Sequence, residues 1–146
     1  MASELIRSLE REKEYVLRYY QLVDAGALND LLALFDKNIV YERGGDRIEG
    51  RQELERFYRA KRKLKGRHSI ERVATIGDTV VVEGAFHGVY AEQIPKKVRF
   101  ADFFTFGPEM TILLRRTYLM LGADQLRSVK PLCSSNKMTF ESLSRR

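Results

Sequence analysis

The apolar pattern of this 146-residue chain changes period near Gly66. Before that point apolar side chains recur at helical i, i+3/i+4 spacing; after it they alternate. A chain written this way must gather its helices first and its strands second, which predicts an α+β fold and not a string of βαβ units.

The helical part divides in three. Leu5, Leu9, Val16, Tyr20 and Val23 form one stripe, with Tyr15, Tyr19 and Leu22 beside it. Asp24-Ala25-Gly26 ends that helix, Gly26 supplying a left-handed stop. Leu28, Leu31, Leu32 and Phe35 predict a short second helix, broken by Asp36-Lys37-Asn38. Ile39 to Arg43 reads as a strand and Gly44-Gly45-Asp46 as a turn. A third helix is expected after Gly50, with Leu54, Phe57, Tyr58 and Leu64 on its buried edge and Gly66 as its stop. Four strands follow, over 68–76, 79–90, 97–106 and 110–120, the first two joined by a Gly77-Asp78 hairpin. Residues 121–146 hold no sustained period, so 1–120 reads as one domain and 121–146 as a C-terminal extension.

Composition narrows the function classes. No apolar run approaches the roughly 20 residues that span a bilayer, and Met1-Ala2-Ser3-Glu4 lacks the pattern of a secretory signal, so a cytoplasmic address is expected. The single cysteine, Cys133, excludes an internal disulfide and a cysteine-based zinc cluster. With two isolated histidines and no Gly-rich loop between a strand and a helix, no metal and no cofactor is expected. Residues 51–72 carry nine basic and three acidic side chains, a net +6 equal to the net charge of the whole chain. That run reads as the solvated face of the third helix. Phe57 and Tyr58 are needed for core, leaving no aromatics for base stacking, so nucleic acid is not expected as a partner.

One residue stands apart. Alternation along 97–106 puts Val98, Phe100, Asp102, Phe104 and Phe106 on a single strand face. A carboxyl among four apolar side chains must be paired, protonated or functional. Desolvation would keep Asp102 neutral and make it a donor; an arginine would instead hold it ionised. Arg99 points to the opposite face, and Arg115 lies on the following strand.

The order of motifs resembles a known family. Arg18-Tyr19-Tyr20, Asp24-Ala25-Gly26, Ala33-Leu34-Phe35, Ile48-Glu49-Gly50-Arg51, Phe57-Tyr58, Arg67-His68, Gly77-Asp78, Asp102-Phe103-Phe104-Thr105-Phe106 and Arg116-Thr117-Tyr118-Leu119 follow one another as in SnoaL-like domains. These belong to the nuclear transport factor 2-like superfamily, which includes ketosteroid isomerases. The resemblance covers about residues 5–120. It implies a cone: a strongly curved mixed sheet wrapped around three N-terminal helices, with a pocket at the open end. It also implies a homodimer through the outer sheet face and a small hydrophobic ligand.

Residue by residue, the resemblance places Asp102 where ketosteroid isomerases hold an oxyanion-site acid, and Tyr19 where a phenol donor stands on the first helix. Arg43 falls at or near the position of their carboxylate base. An arginine is no base at neutral pH, which disfavours ordinary steroid isomerisation; Arg43 is expected either to hold an anionic or carbonyl group of a ligand or to pair with Asp46. His68 is the better base candidate, with Asp102 as an orienting partner. Tyr41, Tyr58, Phe86, Phe100, Phe104 and Arg115 are expected to line the ligand site, and His87 to face outward. The function this implies is proton transfer on a small hydrophobic carbonyl or polyketide-like compound, of the cyclase, dehydratase or isomerase type. The alternative is a non-catalytic binding module with the same pocket.

Overall fold

A computed structural model describes residues 2–61, 65–89 and 95–121. Its first helix, α1, runs Ala2–Ala25, followed by α2 (Leu28–Leu32). Val16, Tyr20 and Val23 of the expected stripe are buried, with Tyr19 beside them, but Leu5 is 63% exposed and Leu9 only half-buried, because the first turns of α1 extend past the sheet they would pack against. Gly26 ends the helix at φ 72°. Its N–H reaches the Val23 carbonyl at 3.2 Å while the Ala27 N–H reaches Leu22 at 3.0 Å, the paired bonds of a Schellman stop.

The sheet has six strands: β1 (Phe35–Arg43), β2 (Asp46–Glu49), β3 (Lys65–Ile76), β4 (Thr79–Val89), β5 (Pro95–Phe106) and β6 (Ile112–Met120). Their order is β2-β1-β6-β5-β4-β3. Only β1 and β6 run parallel, so the sheet is mixed, curved and unclosed. Register shifts at Ile70/Arg72, Thr105/Phe106 and Phe35/Val40 bend it, since an extra residue on one strand increases local twist. Its concave face carries Val80 and Val82 of β4, Phe100, Phe104 and Phe106 of β5 and Ile112 of β6, all buried against the α1 stripe. Each such side chain contributes roughly 1.5–3 kcal/mol by leaving water. His87 is exposed on the convex face, as alternation predicts.

Three elements differ from the sequence expectation. The third helix is α-helical only over Arg51–Arg56 (α3), and Phe57–Lys61 is a π-helical turn. Arg62, Lys63 and Leu64 lie outside the described residues. Gly66 is not a helix stop: it sits in β3 opposite Gly88, where an added Cβ would lie 2.1 Å from the His87 carbonyl oxygen. The basic run is therefore not one helical face, because it passes from α3 and its π turn into β3. Finally, β2 is an extra hairpin strand on β1, and β1 itself begins at Phe35 instead of Ile39. Cys133 and the rest of the C-terminal extension beyond Leu121 lie outside the described residues. Among the described residues no helix is long and apolar enough to cross a membrane.

Candidate functional site

Asp102 lies on the concave face of β5, paired across the sheet with Val82 on one side and Thr117 on the other. It is 1% exposed. Arg115, 5% exposed, projects from β6 onto the same face, opposite Phe104. Its Nη2 donates to Asp102 Oδ2 at 3.0 Å. The Tyr20 hydroxyl donates to the same oxygen at 2.5 Å, and the Thr117 hydroxyl donates to Oδ1. Three donors converge on two carboxylate oxygens. Of the two readings left open for Asp102, the structure takes the arginine-paired one, with both carboxyl oxygens accepting hydrogen bonds. Arg99, as expected, is outside, bonded to Glu71 at 2.5 Å.

The second half of the Arg115 guanidinium faces α1 and the π turn. Nη1 donates to the Tyr19 hydroxyl and, at 3.0 Å, to the Tyr58 hydroxyl. Those two hydroxyls are 2.6 Å apart. The guanidinium carbon lies 4.4 Å from the Tyr19 ring centroid, 4.5 Å from Tyr41 and 5.2 Å from Phe104. Tyr41, in turn, shares a 3.1 Å hydrogen bond with Thr117. The cation is thus wrapped in aromatic faces, which attract it electrostatically where water is excluded.

Burial sets the protonation of this cluster. Desolvation raises the Tyr19 hydroxyl well above the ordinary tyrosine range, although the Arg115 charge pulls the other way. Desolvation and the Asp102 charge likewise raise Tyr20. Both are therefore neutral phenols that can donate. Burial alone would lower Arg115, but Asp102 and the surrounding phenols outweigh it and hold the guanidinium charged.

His68 is set apart from this group. It opens the concave side of β3, and its partner is Asp24, not the expected Asp102. Nδ1 lies 2.5 Å from Asp24 Oδ1, and the His68 backbone N–H donates to Oδ2 at 2.9 Å. Asp102 is unsuited to that role because its two oxygens already accept from Tyr20, Arg115 and Thr117. The His68 ring stands 5.1 Å from Tyr20, 4.9 Å from Phe86 and 5.6 Å from Phe100. Tyr20 therefore joins the two groups, its hydroxyl on Asp102 and its ring beside His68.

Arg43 is half-buried at the far end of β1, two residues beyond Tyr41 and level with Thr117 of β6. Its guanidinium sits 5.2 Å over the Phe57 ring. Asp46 is its cross-strand neighbour, yet among the described residues Arg43 forms no ion pair.

The structure thus gathers Tyr19, Tyr41, Tyr58, Phe104, Arg115 and Asp102 into one cluster, and His68, Phe86 and Phe100 into a second beside it. Sequence reasoning left Tyr20 in the core stripe and Asp24 in the helix stop. The available signal was their spacing: four residues apart, they share one side of α1. A separate hollow of about 650 Å³ lies between α2, α3, the first part of β1 and the end of β2, lined by residues such as Leu32, Lys37, Arg51 and Glu53, and none of the expected site residues lines it. Among the described residues no group of three or more potential metal ligands comes together.

Residues 16–109 match the family model of the SnoaL-like domain. No curated protein matches the chain at a significant level. Among solved structures, the chain is similar to SalBIII, described as an epoxide hydrolase/cyclase-like enzyme of pyran ring formation in the polyether salinomycin (22% identity, 80% of this chain and 94% of the other, TM-score 0.70). It is similar to an epoxide hydrolase of M. tuberculosis described as LEH-like (16% identity, 94% and 92%, TM-score 0.70). It is also similar to an NTF2-like protein of unknown function from Exiguobacterium sp. 255-15 (20% identity, 74% and 99%, TM-score 0.67). At these identities the likeness establishes a shared fold.

Proposed function

This chain belongs to the SnoaL-like family, and from that premise we propose that it binds a small hydrophobic carbonyl compound within the cone and moves a proton on it. The observation that carries the proposal is the reach of one buried cation to two phenols: Arg115 Nη1 bonds both Tyr19 and Tyr58. Donors fixed in a dry site before substrate arrives stabilise a developing oxyanion without reorganising. A carbonyl oxygen set against Tyr19 and Tyr58 meets a phenol pair backed by a positive charge, one hydroxyl hydrogen spent on the 2.6 Å bond between the two and the other left for the ligand. Asp102 anchors that charge and takes no proton itself. His68 is the base, and Phe86, Phe100 and Phe104 are apolar walls. Tyr41 and Arg43 lead outward along β1, and Arg43 takes a polar end of the ligand. SalBIII is described as an epoxide hydrolase/cyclase-like enzyme of pyran ring formation and the M. tuberculosis protein as an epoxide hydrolase, which supports small-molecule chemistry on this fold.

A second reading is favoured by one observation. Asp102 is fully occupied by Arg115, Tyr20 and Thr117, so β5 offers no base, as suits a binding module without chemistry. Exchange of α-protons of 2-tetralone in D₂O, followed by NMR, separates the two. The wild type is expected to accelerate exchange over buffer, His68→Ala to abolish the acceleration, and Tyr19→Phe to lower it about 10²-fold. Saturable binding with no exchange supports the binding module; neither binding nor exchange, for this and related cyclic ketones, refutes both.

We also propose that a second copy covers the outer face of β5 and β6. Tyr118 is 57% and Met120 73% exposed there, with Phe103 packed edge-on to Tyr118 at 5.5 Å. Light scattering is expected to give a dimer that Tyr118→Arg with Met120→Lys converts to a monomer; a wild-type monomer at high micromolar concentration contradicts it.

A further inference from the structure

Asp24 has no role in the function proposed above, and its position is unfavourable on local grounds. It lies in the last turn of α1, where the helix dipole disfavours a negative charge, and no basic residue of that turn offsets it. Both of its oxygens are nevertheless committed to one residue 44 positions away: Oδ2 to the backbone N–H of His68 and Oδ1 to its ring Nδ1. Asp24 is an exposed residue at the helix end and His68 is half-buried, but the facing side chains shield each other, with 9% of the His68 side chain and 22% of the Asp24 side chain exposed.

We infer that Asp24 is the positioning residue for His68, resting on the reading of His68 as the base. A carboxylate only accepts, so the proton facing it sits on Nδ1, and whenever the ring is neutral its lone pair is on Nε2. The second bond, to the backbone N–H, fixes where β3 begins relative to α1, and so fixes the ring's origin as well as its tautomer. Tyr20, Phe86 and Phe100 then limit its rotation. The chain therefore uses two carboxylates for separate tasks: Asp102 holds the cation behind the phenols, and Asp24 directs the imidazole. Substrate chemistry would proceed at Nε2.

Asp24→Asn tests this with little change of shape. An amide satisfies both groups in one orientation only: its oxygen accepts the His68 backbone N–H while its NH₂ donates to Nδ1. That moves the ring proton to Nε2. In the full-length chain labelled with ¹⁵N-histidine, two-bond ¹H–¹⁵N spectra of the neutral ring are expected to show His68 protonated at Nδ1 in the wild type and at Nε2 in Asp24→Asn. Exchange of 2-tetralone α-protons should fall about 10²-fold in the variant. A wild-type ring protonated at Nε2 overturns the inference even if the variant fails to fold. So does an unchanged tautomer in a folded variant, or an unchanged exchange rate. If wild-type protein exchanges no ketone, the proposed function fails while the nitrogen shifts still decide whether Asp24 directs the ring.

Discussion

Arg115 holds Asp102 from the neighbouring strand, Nη2 to Oδ2 at 3.0 Å, with both side chains almost wholly buried. One guanidinium edge faces this carboxylate, and Nη1 faces the phenols of Tyr19 and Tyr58. Its Nε has no hydrogen-bond partner among the described residues, so the group is not tuned for maximal stability. A buried pair of this kind is costly to break from one side and nearly neutral to replace whole.

Asp102→Leu should therefore destabilise the fold by about 3–5 kcal/mol, because it strands the Arg115 cation among aromatic rings. Asp102→Leu combined with Arg115→Met should recover most of that loss in urea unfolding. A double variant as unstable as the single one would show that the carboxylate matters through Tyr20 and Thr117 instead.

The two buried phenols set an alkaline limit. The folded-state pKa values of Tyr19 and Tyr20 lie above the ordinary value, by burial first. A group with a raised folded pKa contributes stability that is whole below the unfolded value, near 10, and is lost as pH climbs beyond it. Absorbance near 295 nm should accordingly show these two phenolates forming only as near-ultraviolet circular dichroism is lost. Their titration in a folded chain would contradict the buried cluster.

Glu12 on α1 gives the same sign at acid pH. Its pKa is raised, by desolvation first and by the Asp78 charge second, and its Oε2 has no hydrogen-bond partner among the described residues. The folded state thus prefers the protonated acid, and stability falls as pH rises through the folded pKa. Glu12→Gln should raise Tm at pH 7 by about 4 °C, corresponding to ~1 kcal/mol. The gain should disappear at a pH below the ordinary carboxylate value. A gain that persists there would assign the effect to packing.

Gly66→Ala should cost more than an ordinary surface change, because its Cβ would meet backbone, the His87 carbonyl oxygen and Gly88 Cα, with no flexible side chain to yield. A loss of about 2 kcal/mol or more is expected in thermal unfolding. An Ala variant as stable as wild type would mean β3 and β4 can separate at that point without loss.

How much of this was legible follows from what each feature depends on. The periodic change at Gly66 carried the α+β class, and alternation along β5 put Asp102 on the apolar face, because a strand's side-chain period is local, whereas the side taken by Arg115 depends on a β6 register that a one-residue slip would reverse. The hydroxyl chosen by Asp102 was not legible. Tyr15, Tyr19 and Tyr20 all follow the α1 stripe, and only the angle at which α1 docks selects Tyr20. The Asp24–His68 pair was hidden because Asp24 precedes a glycine stop and reads as part of it. β2 escaped because Asp46-Arg47-Ile48-Glu49 has a single apolar residue, too few for any period to register. Gly66 misled for a related reason: a glycine needed for close strand approach looks, in sequence, like a glycine needed to end a helix.

In the proposed complex a carbonyl oxygen rests on the phenols backed by Arg115. The most direct measurement is the ¹³C carbonyl shift of ¹³C=O-labelled 2-tetralone bound to wild type, Tyr19→Phe and His68→Ala. A resonance downfield of its position in water is expected for wild type and His68→Ala, and a smaller displacement for Tyr19→Phe. A bound carbonyl whose shift is the same in wild type and Tyr19→Phe would contradict it.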